Sequence, residues 1–138
     1  MESEEINFEA GSLHHALVDA VLRGDQDVVL HLVQLGNASD IDSVDERGLT
    51  ALHWSAASAE GEELVPLLLS LGYSPDKRDI HGHTPLHLHC LRGRVFGALS
   101  LLHQGCDANA REKNTLRTPL HLAGEFGHGE VCLVLYPD

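Results

Sequence analysis

Apolar residues along this 138-residue chain gather into short stretches rich in leucine and valine, each closed by a glycine. Val28–Gly36 reads VVLHLVQLG, Leu67–Gly72 reads LLLSLG and Leu99–Gly105 reads LSLLHQG. Glycine just past the last apolar position supplies the left-handed residue that ends a helix, so each stretch predicts a helix with a defined stop. A second kind of stretch, made of small residues, precedes each of the later two and follows a Thr-x-Leu-His tetrad. The tetrads are Thr50–His53, Thr84–His87 and Thr118–His121, spaced by 34 and 34 residues. Threonine is a good N-cap, and proline one position later has no N–H to lose, so these tetrads predict helix starts. Before them lie short polar turns: Asp45–Gly48, Asp79–Gly82 and Lys113–Leu116. One unit is therefore a turn, a helix, a short loop, a second helix and a glycine, and a period of this length marks stacked units that bury a shared core.

The unit resembles the ankyrin repeat. The family pattern, D-x-x-G-x-T-P-L-H-L with G-x-D-x-N-A after the second helix, runs through Asp79–Arg111 almost without a gap. It ends in Gly105-Cys106-Asp107-Ala108-Asn109-Ala110. Leu17–Asp25 resembles an N-terminal capping repeat. The expected fold is all-α: a solenoid of stacked helix-turn-helix units joined by β-hairpin-like loops. Residues 1–11 are expected to form an acidic tail and 12–138 four repeats, at about 12–44, 45–78, 79–111 and 112–138. The resemblance implies that His53, His87 and His121, with Thr50, Thr84 and Thr118, are structural, each histidine bonding across its turn to stitch neighbouring repeats. Loss of one such histidine should cost about 1–3 kcal/mol by leaving buried polar partners unsatisfied.

Three departures from the pattern carry their own expectations. The second repeat has Ala51 for proline, an extra residue in Ser58–Gly61, and Pro66 within its second helix, where an interior proline would bend the backbone. It should be the least regular unit. The fourth turn is one residue longer and has Leu116 where glycine is expected. Val131–Leu135 is an apolar run without a polar cap, followed by Tyr136-Pro137-Asp138.

Composition limits the chemistry. The chain is 43% hydrophobic, 22% charged and 4% aromatic, so its core is aliphatic. The net charge of −12 is lopsided: residues 1–69 hold fourteen of the 21 acids and only Arg23 and Arg47 as bases. Such a balance disfavours nucleic acid, whose affinity comes from neutralised phosphates, and anionic membrane surfaces. No apolar run approaches the length of a membrane span. The acidic start is unlike a basic leader, and three scattered cysteines fit reduced thiols, so a cytoplasmic or nuclear monomer is expected.

Four of the eleven histidines and one cysteine crowd into Ile80–Cys90, IHGHTPLHLHC. With His87 assigned to the motif, His81 and His83 lie two apart at a hairpin tip. His89 takes a helix position where the family favours alanine, in a widened gap between repeats. Two histidines make an incomplete metal shell, and a Cys90–His89 pair lacks an orienting carboxylate or an oxyanion donor. The cluster reads as architecture, with no metal, cofactor or catalytic residue.

The resemblance implies a non-enzymatic module that binds another protein along a concave face made of hairpin tips and first helices, as adaptor or scaffold. The alternative is a stoichiometric inhibitor of a partner enzyme such as a kinase. The corresponding positions are Leu22 and Arg23; Glu46, Arg47, Leu49, Ala57 and Ser58; Ile80, His81, His83, Leu91 and Arg92; and Asn114, Thr115, Arg117, Glu125 and Phe126. Arginine beside apolar and aromatic side chains is enriched at interface hot spots. The third and fourth repeats are thus expected to form the main docking surface, where Arg92 and Arg117 take the acidic or phosphorylated side chains of a partner segment and Phe126 is an apolar anchor. The alternative is that Phe126 packs under a neighbouring tip while the arginines are only solvated. The acidic first half could instead steer a basic segment. Leu101 and Asn109 carry the spacing of the asparaginyl hydroxylation site of such repeats, making Asn109 a modification candidate.

Overall fold

A computed structural model describes residues 10–35 and 43–135. Within them the chain forms nine α-helices and no strand, the all-α stack of helix pairs that the repeat pattern predicts. The first unit is α1 (Ala10–Arg23) and α2 (Gln26–Leu35). The second has a short α3 (Ala51–Trp54) extended by a 3₁₀ turn (Ser55–Ala57), then α4 (Ala59–Glu62) and α5 (Val65–Ser70). The third is α6 (Pro85–Leu91) and α7 (Val95–His103); the fourth is α8 (Pro119–Glu125) and α9 (Gly129–Leu135). First helices stack on first helices, α1 on α3, α3 on α6 and α6 on α8. Second helices form an outer layer, α5 on α7 on α9. Gly36, the acids at 2–9, 40 and 42, and Tyr136–Asp138 lie outside the described residues.

Each tetrad builds one capped turn. In all three, the Thr hydroxyl accepts from the His backbone N–H, while His Nδ1 accepts from the Thr backbone N–H at 3.1 Å. With Nδ1 accepting, the proton sits on Nε2, where it is needed. His53 Nε2 donates to the His83 carbonyl (3.0 Å) and His87 Nε2 to the Arg117 carbonyl (3.1 Å), so each ring ties its helix start to the next unit. Leu52, Leu86 and Leu122 fill the space between units.

The hairpin tips also pair in series. Asp45 N–H donates to the Leu49 carbonyl and Asp79 N–H to that of His83, closing each tip, and Ile80 N–H reaches the Arg47 carbonyl of the preceding tip at 2.9 Å. Gly48 and Gly82 adopt φ of 79° and 80°. In the longer fourth tip that conformation falls to Leu116, at φ 60°, the only non-glycine with positive φ among the described residues. A left-handed L-residue costs about 1–2 kcal/mol. Leu116 is exposed, so little packing offsets the cost. Leu116→Gly is therefore expected to stabilise the protein by about 1 kcal/mol, read as a raised urea midpoint at unchanged m-value.

The second repeat is the least regular, but not by bending. Its outer segment is split, and Pro66 falls in the first turn of α5, where a missing N–H costs nothing. The extra residue is absorbed by Ser58, which caps α4 by accepting from Gly61 N–H (2.8 Å) and donates its hydroxyl to the Leu22 carbonyl (2.8 Å).

His89 is likewise placed differently from expectation. It is fully buried, and the room for it comes from its own repeat: a Cβ on Gly97 of α7 would lie 2.5 Å from its Cε1. Its Nε2 lies 3.0 Å from Ser55 Oγ, whose hydroxyl donates to the Leu52 carbonyl, and its Nδ1 is buried without a partner. Burial first, then Arg94 and His53, pushes its pKa down to about 3. Burial also lowers the pKa of His53 and His87.

These histidines set an acid limit. A histidine with a lowered folded pKa takes up its proton in the unfolded state first, so stability is complete above the ordinary value of 6.5 and falls with pH below it. For His89 alone the loss runs at about 1.4 kcal/mol per pH unit from pH 6.5 toward 3. Urea unfolding between pH 7 and 5 is expected to show this slope, and His89→Ala to make it shallower.

Candidate partner-binding groove

The exposed edges of the first helices and the tips form one concave face. A depression of about 310 Å³ lies on it between the second and third repeats. Leu49, Trp54 and Ala57 form one wall, Leu88 and Leu91 the other. Trp54, the single tryptophan of the chain, is held by an Nε1–H bond to Asp45 Oδ2 (3.0 Å). His81 lies at the tip end, and Arg47 and Arg92 complete the rim. Both arginines are exposed, and neither guanidinium has a hydrogen bond or ion pair among the described residues.

The acids nearest this groove are turned inward. Asp45 Oδ1 accepts from the N–H groups of Arg47 (3.0 Å) and Leu49 (2.9 Å). Burial works to raise the Asp45 pKa, but these bonds and that from Trp54 outweigh it and keep the carboxyl ionised. Asp79 Oδ1 accepts from His81 and His83 N–H in the same way. Glu46 is exposed and faces a separate cavity lined by His14, His15, Val44 and Asp45.

Between the third and fourth repeats the chemistry is different. A shallower depression of about 160 Å³ is lined by His81, His83, Glu112, Asn114, Thr115 and Arg117. Glu112 stands where the other tips have Asp. Its longer side chain accepts from His83 Nε2 (2.6 Å), Arg117 Nε (2.9 Å) and the Thr115 hydroxyl. Burial of Glu112 opposes ionisation, yet these donors hold its pKa down to about 2. Arg117 also grips Glu125 through Nη1 at 2.5 and 2.7 Å. His83 thus locks two tips together, and the charge of Arg117 is already matched within the protein.

The groove unites Arg47, Leu49, His81, His83, Leu91 and Arg92. Arg117 lies at the neighbouring depression. Phe126, the C-cap of α8, is half exposed and lines neither cavity. Thr50, His53, Thr84 and His87 are buried in the stacking contacts, whereas His121 has the same capping bonds with an exposed ring. Asn109 is exposed, its N–H donating to Asp107 Oδ1 (2.9 Å) in a tight turn. Trp54 was missed by sequence reasoning, although a tryptophan directly after the motif histidine, where the third and fourth units have leucine, is the signal that marks it. Cys90 and Cys106 are buried and their thiols pushed up to about 12, first by burial, which makes them poor nucleophiles. No group of three or more metal-ligating side chains lies together, and no helix is long and apolar enough to cross a membrane, among the described residues.

The family model described as ankyrin repeats in three copies matches residues 13–112 and 55–138. Among curated proteins, alpha-latrotoxin-Lg1a of Latrodectus geometricus is 31% identical over 97 residues, 67% of this chain and 7% of that protein. Human SH3 and multiple ankyrin repeat domains protein 2 is 37% identical over 82 residues, 59% of this chain and 4% of its own length. Mouse protein phosphatase 1 regulatory subunit 27 is 33% identical over 93 residues, 67% of this chain and 59% of its own. The chain thus spans only a small part of the first two relatives and over half of the third. Capped tetrads, paired tips and family match agree: the chain belongs to the ankyrin repeat family, whose arrays are in general non-enzymatic modules for binding other proteins.

Proposed function

We propose that this chain acts as an adaptor or scaffold module, in the cytoplasm or nucleus, that holds a partner protein on its concave face at the groove between the second and third repeats. The observation that carries this reading is the groove itself. It combines apolar walls, a tryptophan fixed by a hydrogen bond, and two free arginines on an otherwise rigid stack. A fixed aromatic anchor and desolvatable arginines are the residue types that dominate interface energies.

The test is capture from an extract of the source cells by three forms of the chain. Leu49→Asp with Leu91→Asp alters the groove, whereas Phe96→Asp with Leu99→Asp alters two exposed residues of the outer helix α7. Proteins held by the wild type and the α7 variant but lost by the groove variant support the reading. Loss with the α7 variant alone would refute it.

A second reading, a stoichiometric regulator of a partner enzyme, draws support from the relative named as a phosphatase regulatory subunit, over half of which aligns with this chain. Addition of equimolar chain to the captured partner would separate the two: an adaptor leaves its activity unchanged, and a regulator alters it.

A further inference from the structure

We propose that the groove between the second and third repeats selects an acidic segment, one in which an apolar side chain is flanked on both sides by carboxylates. The proposal rests on the concave-face reading above and specifies the partner's chemistry. Its geometric basis is the placement of the two free guanidiniums. Arg47 sits on the hairpin tip of the second repeat and Arg92 at the C-cap of α6, so they stand at different ends of one apolar depression. An apolar side chain seated between Trp54 and Leu91 would leave its chain neighbours near one arginine on each side.

The charge argument is local and runs against the protein's overall balance. The net charge is −12, so a generic acidic peptide is repelled at long range. Around the groove, however, the carboxylates of Asp45 and Asp79 stay charged with their oxygens engaged by backbone N–H groups, by Trp54 and by His83, and Glu46 lines a different cavity. The guanidiniums are therefore the charged groups of the groove whose hydrogen bonds are unfilled. At the next groove the tip position of Arg47 is His81 and the C-cap position of Arg92 is Phe126, and Arg117 is held by Glu112 and Glu125. The contrast fixes the site to one inter-repeat groove instead of the whole concave face. Carboxylates are recognised by a guanidinium through paired N–H bonds, which lysine cannot reproduce.

The test is selection from a random linear peptide library displayed on phage, with the whole chain immobilised, followed by titration of the enriched peptides against Trp54 fluorescence. The expected result is enrichment of sequences with aspartate or glutamate on both sides of a single apolar residue, binding with a change in Trp54 emission. Arg47→Glu and Arg92→Glu should each weaken them by about tenfold or more. Both arginines are exposed and their side chains make no stacking contact, so these variants should keep the wild-type circular dichroism and urea midpoint. Arg47→Lys with Arg92→Lys retains charge without the paired geometry and should fall between wild type and reversal. Enriched peptides without acids, or insensitive to both reversals but lost in Leu49→Asp with Leu91→Asp, would overturn this proposal while leaving the concave-face reading intact. Peptides insensitive to all these changes, or no enrichment, would overturn both.

Discussion

Gly97→Ala is expected to destabilise the protein by about 3 kcal/mol, although glycine to alanine inside a helix ordinarily gains about 0.5–1 kcal/mol. Gly97 lies in α7, whose backbone is regular there, so propensity alone favours alanine. The added Cβ would meet the His89 imidazole at 2.5 Å from Cε1 and 3.0 Å from Cγ. That ring cannot retreat, because it is buried between its own helix pair and Ser55, to which it is hydrogen-bonded. The partner substitution reverses the sign. In a His89→Ala background the obstruction is gone and a void remains, so Gly97→Ala should become neutral or stabilising by up to about 1 kcal/mol. Urea unfolding of the four proteins of this cycle checks the claim, and an additive result would show that His89 and Gly97 do not share this space.

His87→Ala is expected to cost about 3 kcal/mol, and the same change at His121 less than about 1 kcal/mol. Sequence alone makes these two positions equivalent, since both are the fourth residue of a Thr-Pro-Leu-His tetrad. Both cap their helix with the same bonds. The difference is the second nitrogen. His87 Nε2 donates to the Arg117 carbonyl from a fully buried ring, so its loss strands that carbonyl, the Thr84 N–H and a cavity. The His121 ring is exposed and water can replace it. Equal losses at the two sites would mean that the histidines act only as caps and not as ties between repeats.

What could be read from the sequence follows the physics of repetition. The tetrads and glycine stops are local signals, repeated three times in register, so helix order, stacking and the all-α class were legible. The fate of Pro66 depended on where α5 begins, which the split of the outer helix decides and no local pattern announces. Leu116 was legible as a misfit but not as a left-handed leucine. His89 looked out of place because its compensation, Gly97, lies eight residues on, across a helix hairpin. The arginines show the sharpest limit. Arg92 and Arg117 are similar on paper, but Glu112 and Glu125 neutralise one and nothing described pairs with the other. Arg47, 45 residues before Arg92 in the sequence, joins it only through folding.

The central claim is that a partner docks in the groove between the second and third repeats. It is tested most directly by a photo-cross-linking amino acid placed at Leu49, within the groove, and in a parallel protein at Phe96 on α7. Both forms are irradiated in an extract of the source cells. Discrete cross-linked proteins from position 49, abolished by Arg47→Glu with Arg92→Glu and missing from position 96, are the predicted result. Cross-links from position 96 alone would contradict the account, whereas cross-links from position 49 undiminished by the two charge reversals would contradict only the acidic-segment proposal.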